Sequence, residues 1–160
     1  MLKDLIALEP HSRVWVYPAS REINYEELDI VRPILFSFLE RWTAHNQTLV
    51  TYGNIFHQRF VALFVDESAA GASGCSIDSS VHFIQNLGEQ LRIDFFNRQS
   101  VQFLIEDQVV TYQLHDLKDK YNQGLINEDT LFFNNLVKTK EQFLKSWIIP
   151  IKAGWVRRFI

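Results

Sequence analysis

The sequence predicts an α+β fold on three observations. Strand-type runs alternate with amphipathic helical patterns along the chain. The longest clean apolar run, Phe60–Val65, has only six residues. The composition supports a substantial core, with 47% hydrophobic residues and thirteen phenylalanines among 160. Up to residue 105 the elements run β-α-β-β-α-β, the split order of a ferredoxin-like sheet with both helices on one face. A β-hairpin and further helices make an appended C-terminal part. The length suits one compact domain over 1–160, with an internal division into an α+β core, 1–98, and a hairpin-helix subdomain, 99–160.

The individual elements follow from local patterns. Residues 1–12 read as a loose or short helical lead-in. Arg13 to Pro18 has strand-type residues and is stopped by proline. Asn24 and Glu27 form a capping box, and beyond it Leu28, Val31, Leu35, Phe38 and Trp42 recur at helical spacing. Pro33 falls inside that pattern and predicts a kink or a split. Asn46 is a left-handed stop for the helix. Between Leu49 and Asp66 lie two strands, with the turn at Gly53-Asn54 or, giving strands of more equal length, at His57-Gln58. The unbroken apolar run from Phe60 to Val65 fits a central strand covered on both faces.

A second helix spans Ser76 to Arg92 and points Ile77, Val81, Ile84 and Leu91 one way. Residues 101–105 and 109–113 form a hairpin around Glu106-Asp-Gln108. A short helix, Leu114 to Gln123, is closed by Gly124, and Thr130 to Phe133 is a short strand. Thr139 and Gln142 suggest another capping box, for a helix reaching Trp147 and ended by Pro150. Trp155, Val156, Phe159 and Ile160 form an apolar tail with Arg157 and Arg158 between them.

The totals exclude several classes of function. A net charge of −3 lacks the basic face that nucleic acid or a membrane surface requires, so no nucleic-acid partner is expected. One cysteine rules out an internal disulfide and any multi-cysteine zinc site. The five histidines, at 11, 45, 57, 82 and 115, show no His-x-x-x-His pairing, so no metal is expected, and no cofactor motif appears. Lys3, Asp4 and Glu9 interrupt the first apolar stretch, so it is not a signal peptide, and no run approaches the length of a membrane span. A cytoplasmic protein without membrane insertion is the expectation.

The candidate site is the stretch from Val65 to His82, where a strand runs through a small-residue loop into a helix. Cys75, Asp78 and His82 fall within about 60° of one another on a helical wheel, roughly opposite the apolar stripe. A thiol at a helix N-terminus is activated by the macrodipole. With His82 as base and Asp78 orienting it, the three would form a Cys-His-acid set for a hydrolase or acyltransferase. The same loop offers backbone donors and polar side chains for a small anionic ligand or a protein partner: Asp66, Glu67, Ser68, Ser73, Gly74 and Ser76. Cysteine as plain packing, and serine and glycine as plain caps and turns, are the competing structural reading. Non-enzymatic binding leads, and the thiol enzyme is the alternative. A P-loop is excluded, because Gly71-Ala-Ser-Gly-Cys-Ser76 has neither its spacing nor its lysine. The aromatic content also points to self-association as a homodimer.

Two resemblances complete the reading. The segment from Val65 to Asp78, Ser80-Val-His-Phe-Ile-Gln85 and Leu131-Phe-Phe-Asn-Asn-Leu-Val137 resemble a family of small bacterial proteins that often carry the label "ABC transporter ATPase". That likeness spans nearly the whole chain, from Val14-Trp15 to Arg158-Phe159. It implies no established activity, and the missing P-loop conflicts with the label. An accessory role beside a transporter, without hydrolysis, is compatible with it. Residues 101–147 resemble a GYF-type interaction module through Leu114, Leu117, Tyr121, Gly124, Ile126, Asp129-Thr-Leu131 and Trp147. This second resemblance implies a hairpin, a short helix and a surface that docks peptides. Tyr112-Gln113 stands where that module carries Gly-Pro, and its ligand-gripping aromatics have no counterpart in this sequence.

Overall fold

The computed structural model describes all residues, 1–160. The chain opens with a short 3-10 turn at Leu5–Ala7 and enters strand β1, Arg13–Pro18. Helix α1, Tyr25–Arg41, starts on the full Asn24/Glu27 capping box. It continues unbroken through Pro33. Pro33 and Asp29, whose carbonyl loses its N–H partner to the proline, both lie on the exposed side, where the unpaired carbonyl is not cut off from solvent. Leu28, Val31, Leu35 and Leu39 form the buried stripe, while Phe38 is only half-buried.

Asn46 does not stop this helix. It forms, with His45, the left-handed turn of a two-residue-per-strand hairpin, β2 (Thr43–Ala44) and β3 (Gln47–Thr48). Strands β4, Val50–Phe56, and β5, Phe60–Asp66, then pair antiparallel around His57 and Gln58, both at positive φ. The second of the two turn positions is therefore the real one, and Gly53 lies mid-strand. A Cβ there would sit 2.7 Å from Leu39 Cδ1, so the glycine lets α1 pack down on the sheet.

The first sheet has the order β1-β5-β4, all antiparallel. Central β5 is buried along its whole length, and its period of two divides it between two cores. Val61, Leu63 and Val65 face the helices, packing with Leu35, Leu39 and Ile84. Phe60, Ala62 and Phe64 face the other way, against Phe133, Phe143 and Trp147.

Helix α2, Gly74–Leu91, lies beside α1. It ends at Arg92, which takes the left-handed conformation usually left to glycine. A second sheet follows: β6 (Ser100–Ile105), β7 (Gln108–Gln113), β8 (Leu131–Phe133) and β9 (Ile148–Pro150), in the order β7-β6-β8-β9. The β6–β7 turn is Glu106-Asp107, both left-handed, so Gln108 belongs to the strand. Between these strands come α3 (Leu117–Asn122), ahead of Gly124 at positive φ, and α4 (Lys140–Ser146), capped by Thr139. Gln142 reaches the Lys138 N–H rather than that of Thr139, so the second capping box is only half formed.

The result is a layered α+β molecule: helices, first sheet, second sheet, and a further apolar layer on the far side. That last core joins Val101, Phe103 and Phe132 to Leu117, Ile151 and Val156. Two expectations are corrected here. Strand β6, which a ferredoxin-like sheet would place beside β1, belongs to the second sheet. The open edge of β1 is met instead by the run into α4, through Val14 N–H to Lys138 O at 3.1 Å and Lys140 N–H to Ser12 O at 2.7 Å. Pro150 likewise ends no helix, because it closes strand β9 opposite Leu131.

Candidate functional site

The loop between β5 and α2 is held by its own polar groups. Asp66 is only 8% exposed. Its carboxylate accepts the Ser68 hydroxyl at 2.6 Å, the Ser68 N–H at 3.0 Å and the Glu9 N–H at 3.2 Å. Burial raises its pKa, but the bonds from Ser68 and Glu9, with nearby His11, outweigh this and hold it below the ordinary aspartate value. Glu67 accepts the Ala72 N–H at 2.9 Å and faces Arg13 Nε at 3.6 Å. The Arg13 guanidinium in turn lies 4.7 Å over the Trp15 ring.

The helix start is equally occupied. Ser73 is the N-cap: its hydroxyl accepts Ser76 N–H at 3.1 Å, and Ser76 Oγ accepts Ser73 N–H at 2.6 Å. Gly74 and Cys75 are therefore the first two residues of α2, one turn's fraction earlier than the sequence suggested, and both are exposed. Cys75, Asp78 and His82 do share the outward face, all three exposed. No hydrogen bond joins any two of them, so the chain of proton contacts a thiol enzyme needs is not assembled.

The buried stripe of α2 differs from the expected one. Ser76, Ser80, Ile84, Leu87 and Gly88 face inward, and Ile77, Val81 and Leu91 are only half-buried. The small serines let the helix approach closely while their hydroxyls bond within the turn, Ser80 Oγ to Ile77 O at 2.6 Å. Trp42, at the end of α1, donates its indole N–H to Ser76 O at 2.8 Å. A hydrophobicity pattern ranks serine as polar, so periodicity finds Ile84 but centres the stripe on Ile77 and Val81 instead of Ser76 and Ser80.

Sequence reasoning also missed Glu9, His11 and Arg13, which organise the loop from more than fifty positions away in the chain. No local signal links them to residues 66–68. No group of three His, Cys, Asp or Glu side chains is arranged to hold a metal ion, and no helix is long and apolar enough to cross a membrane. Comparison with family models, curated proteins and solved structures returned no match to the chain.

Proposed function

We propose that this protein is a non-enzymatic binding module whose outer α2 face, around 75–82, docks a protein partner. The observation that carries this reading is the burial of Ser76 and Ser80 in place of Ile77 and Val81. It leaves two branched apolar side chains half-open beside exposed Cys75, Asp78 and His82. Such a mixed strip suits a protein interface, where apolar contacts sit within a polar rim.

Charge narrows the partner. Asp78 and Glu89 are exposed acids on α2, and no lysine or arginine lies between Arg59 and Arg92. A partner with a basic rim complements this surface, and the association would weaken with salt. A small anion is the poorer fit, because Glu67 already accepts Ala72 N–H and Ser73 already caps the helix. The thiol hydrolase or acyltransferase draws no support from the geometry, since neither His82 nor Asp78 is hydrogen-bonded to Cys75.

The test uses the single exposed thiol. Cys75 is labelled with a photo-crosslinker, and products are compared for the parent protein and Ile77→Gln/Val81→Gln, with folding checked by circular dichroism. The proposal expects a discrete, salt-sensitive product with a basic partner that the double variant loses. A product of twice the chain mass would indicate a second copy instead. No product, or one indifferent to both substitutions, would end the docking reading.

A further inference from the structure

A cleft of about 680 Å³ opens at the free edge of β4, far along the chain from the α2 face. Its walls come from three segments. The N-terminal residues form a strap over the edge: Lys3 N–H donates to Thr51 O at 2.8 Å, and Thr51 N–H donates to Met1 O at 2.9 Å. The strap then turns away through Leu5–Ala7, so this cover ends at Thr51. Helix α1 supplies a ridge spaced by four residues. Glu40 pins the strap by accepting Leu2 N–H at 2.8 Å, Phe36 lines the cleft, and Arg32 reaches across to Asn54. Strand β4 supplies Tyr52 and Asn54.

Arg32, which stands behind the lining residue Asn54, and Tyr52 are joined through Asn54 in one hydrogen-bonded row. Arg32 Nε donates to Asn54 Oδ1 at 3.2 Å, which fixes the guanidinium and leaves its two terminal nitrogens without a protein acceptor. Neither Arg32 nor Lys3 belongs to an ion pair. The Tyr52 hydroxyl oxygen accepts from Asn54 Nδ2 at 3.2 Å, so its own proton is uncommitted. Leu2, Ala7 and Phe36 add apolar surface to the lining. The volume lies within the range of small-molecule clefts, roughly 300–1,000 Å³.

From this arrangement we infer that the cleft binds a small amphipathic carboxylate. The head group sits between the Arg32 fork, Lys3 and the Tyr52 hydroxyl, and an aryl or short alkyl body lies on Phe36 and Leu2. A planar carboxylate matches the guanidinium edge in bidentate fashion. A phosphate dianion is disfavoured by Asp4, which also lines the cleft and is not ion-paired. An added peptide strand is disfavoured too, because Asn54 Oδ1 already takes the Ile55 N–H at 2.8 Å and interrupts the open edge. The site goes beyond the docking face and stands or falls separately from it.

The experiment titrates the full chain with phenylbutyrate, its uncharged amide and phenyl phosphate, read by amide NMR shifts and calorimetry. Phenylbutyrate should give saturable shifts at Lys3, Phe36 and Asn54, and the amide should not. Arg32→Gln should weaken it by about tenfold or more, the size expected for losing charge-assisted hydrogen bonds. Tyr52→Phe, which keeps the ring against Phe64, should weaken it less and serves as the second variant should Arg32→Gln disturb folding. Absence of saturable binding, shifts unchanged by both substitutions, equal binding of the amide, or tighter binding of the phosphate would each overturn the assignment.

Discussion

Trp42 donates its indole N–H to the backbone carbonyl of Ser76 at 2.8 Å, in a buried contact that ties the end of α1 to the first turn of α2. This bond places the candidate face. The indole ring is wedged by Phe38 and Trp15, with centroids 5.3 and 5.9 Å away, so the donor is held by aromatic packing as well as by its acceptor. Trp42→Phe keeps most of that packing and removes the donor. The expected cost is about 1 kcal/mol in urea unfolding, with faster amide exchange concentrated in 76–80. Uniform loss of protection across the chain would mean that the ring, and not the bond, matters.

Acid should loosen the 66–72 loop. The folded Asp66 carboxyl is depressed below its unfolded value, about 3.9, despite the burial that opposes this. A depressed carboxyl contributes stability above its unfolded pKa, and that contribution is lost as pH falls through the folded pKa. The parent protein should therefore lose more stability than Asp66→Asn between about pH 5 and pH 2, with the Ser68 and Glu9 amide signals shifting over the same range. Parallel stability curves for the two proteins would contradict this account.

The turn after α2 makes two predictions of opposite sign. A Cβ on Gly88 would lie 2.5 Å from Ile93 O and 3.4 Å from Phe95 Cδ2, so Gly88→Ala should destabilise by about 1–3 kcal/mol. Arg92 has a φ of 55°, a region that costs a side-chain-bearing residue but not glycine. Arg92→Gly should stabilise by a few tenths to about 1 kcal/mol. Thermal unfolding separates them, and a lower Tm for Arg92→Gly would show that the arginine side chain outweighs the backbone.

Cys75 is exposed and should be alkylated by iodoacetamide without denaturant. His82→Ala should leave the rate at a fixed pH unchanged, because no hydrogen bond connects the two side chains. A marked slowing in His82→Ala would reinstate the thiol enzyme and justify a screen of esters and amides. A thiol silent until the protein is unfolded would contradict the exposed helix start.

The sequence by itself determined what depends on neighbours within a few residues. The Asn24/Glu27 box, the strand Arg13–Pro18, the turn at His57-Gln58 and the two-faced burial of β5 were all legible, because capping, turn chirality and side-chain period are local. Tertiary structure decided the rest. Whether β6 returned beside β1 or founded a second sheet depended on which aromatic surface it covered, and Phe60, Phe64 and Phe133 belong to distant segments. The inward turn of Ser76 and Ser80 depended on the close approach of α2 to Trp42 and the sheet, which no hydropathy period encodes. Its place in the chain makes Asp66 a candidate ligand group, but its carboxylate is taken up by Glu9 and Ser68, the first of them 57 positions away. The Arg32–Asn54 cleft exists only where α1, β4 and the N-terminal strap meet. Long-range hydrogen bonds and packing choose among faces that local chemistry leaves equivalent.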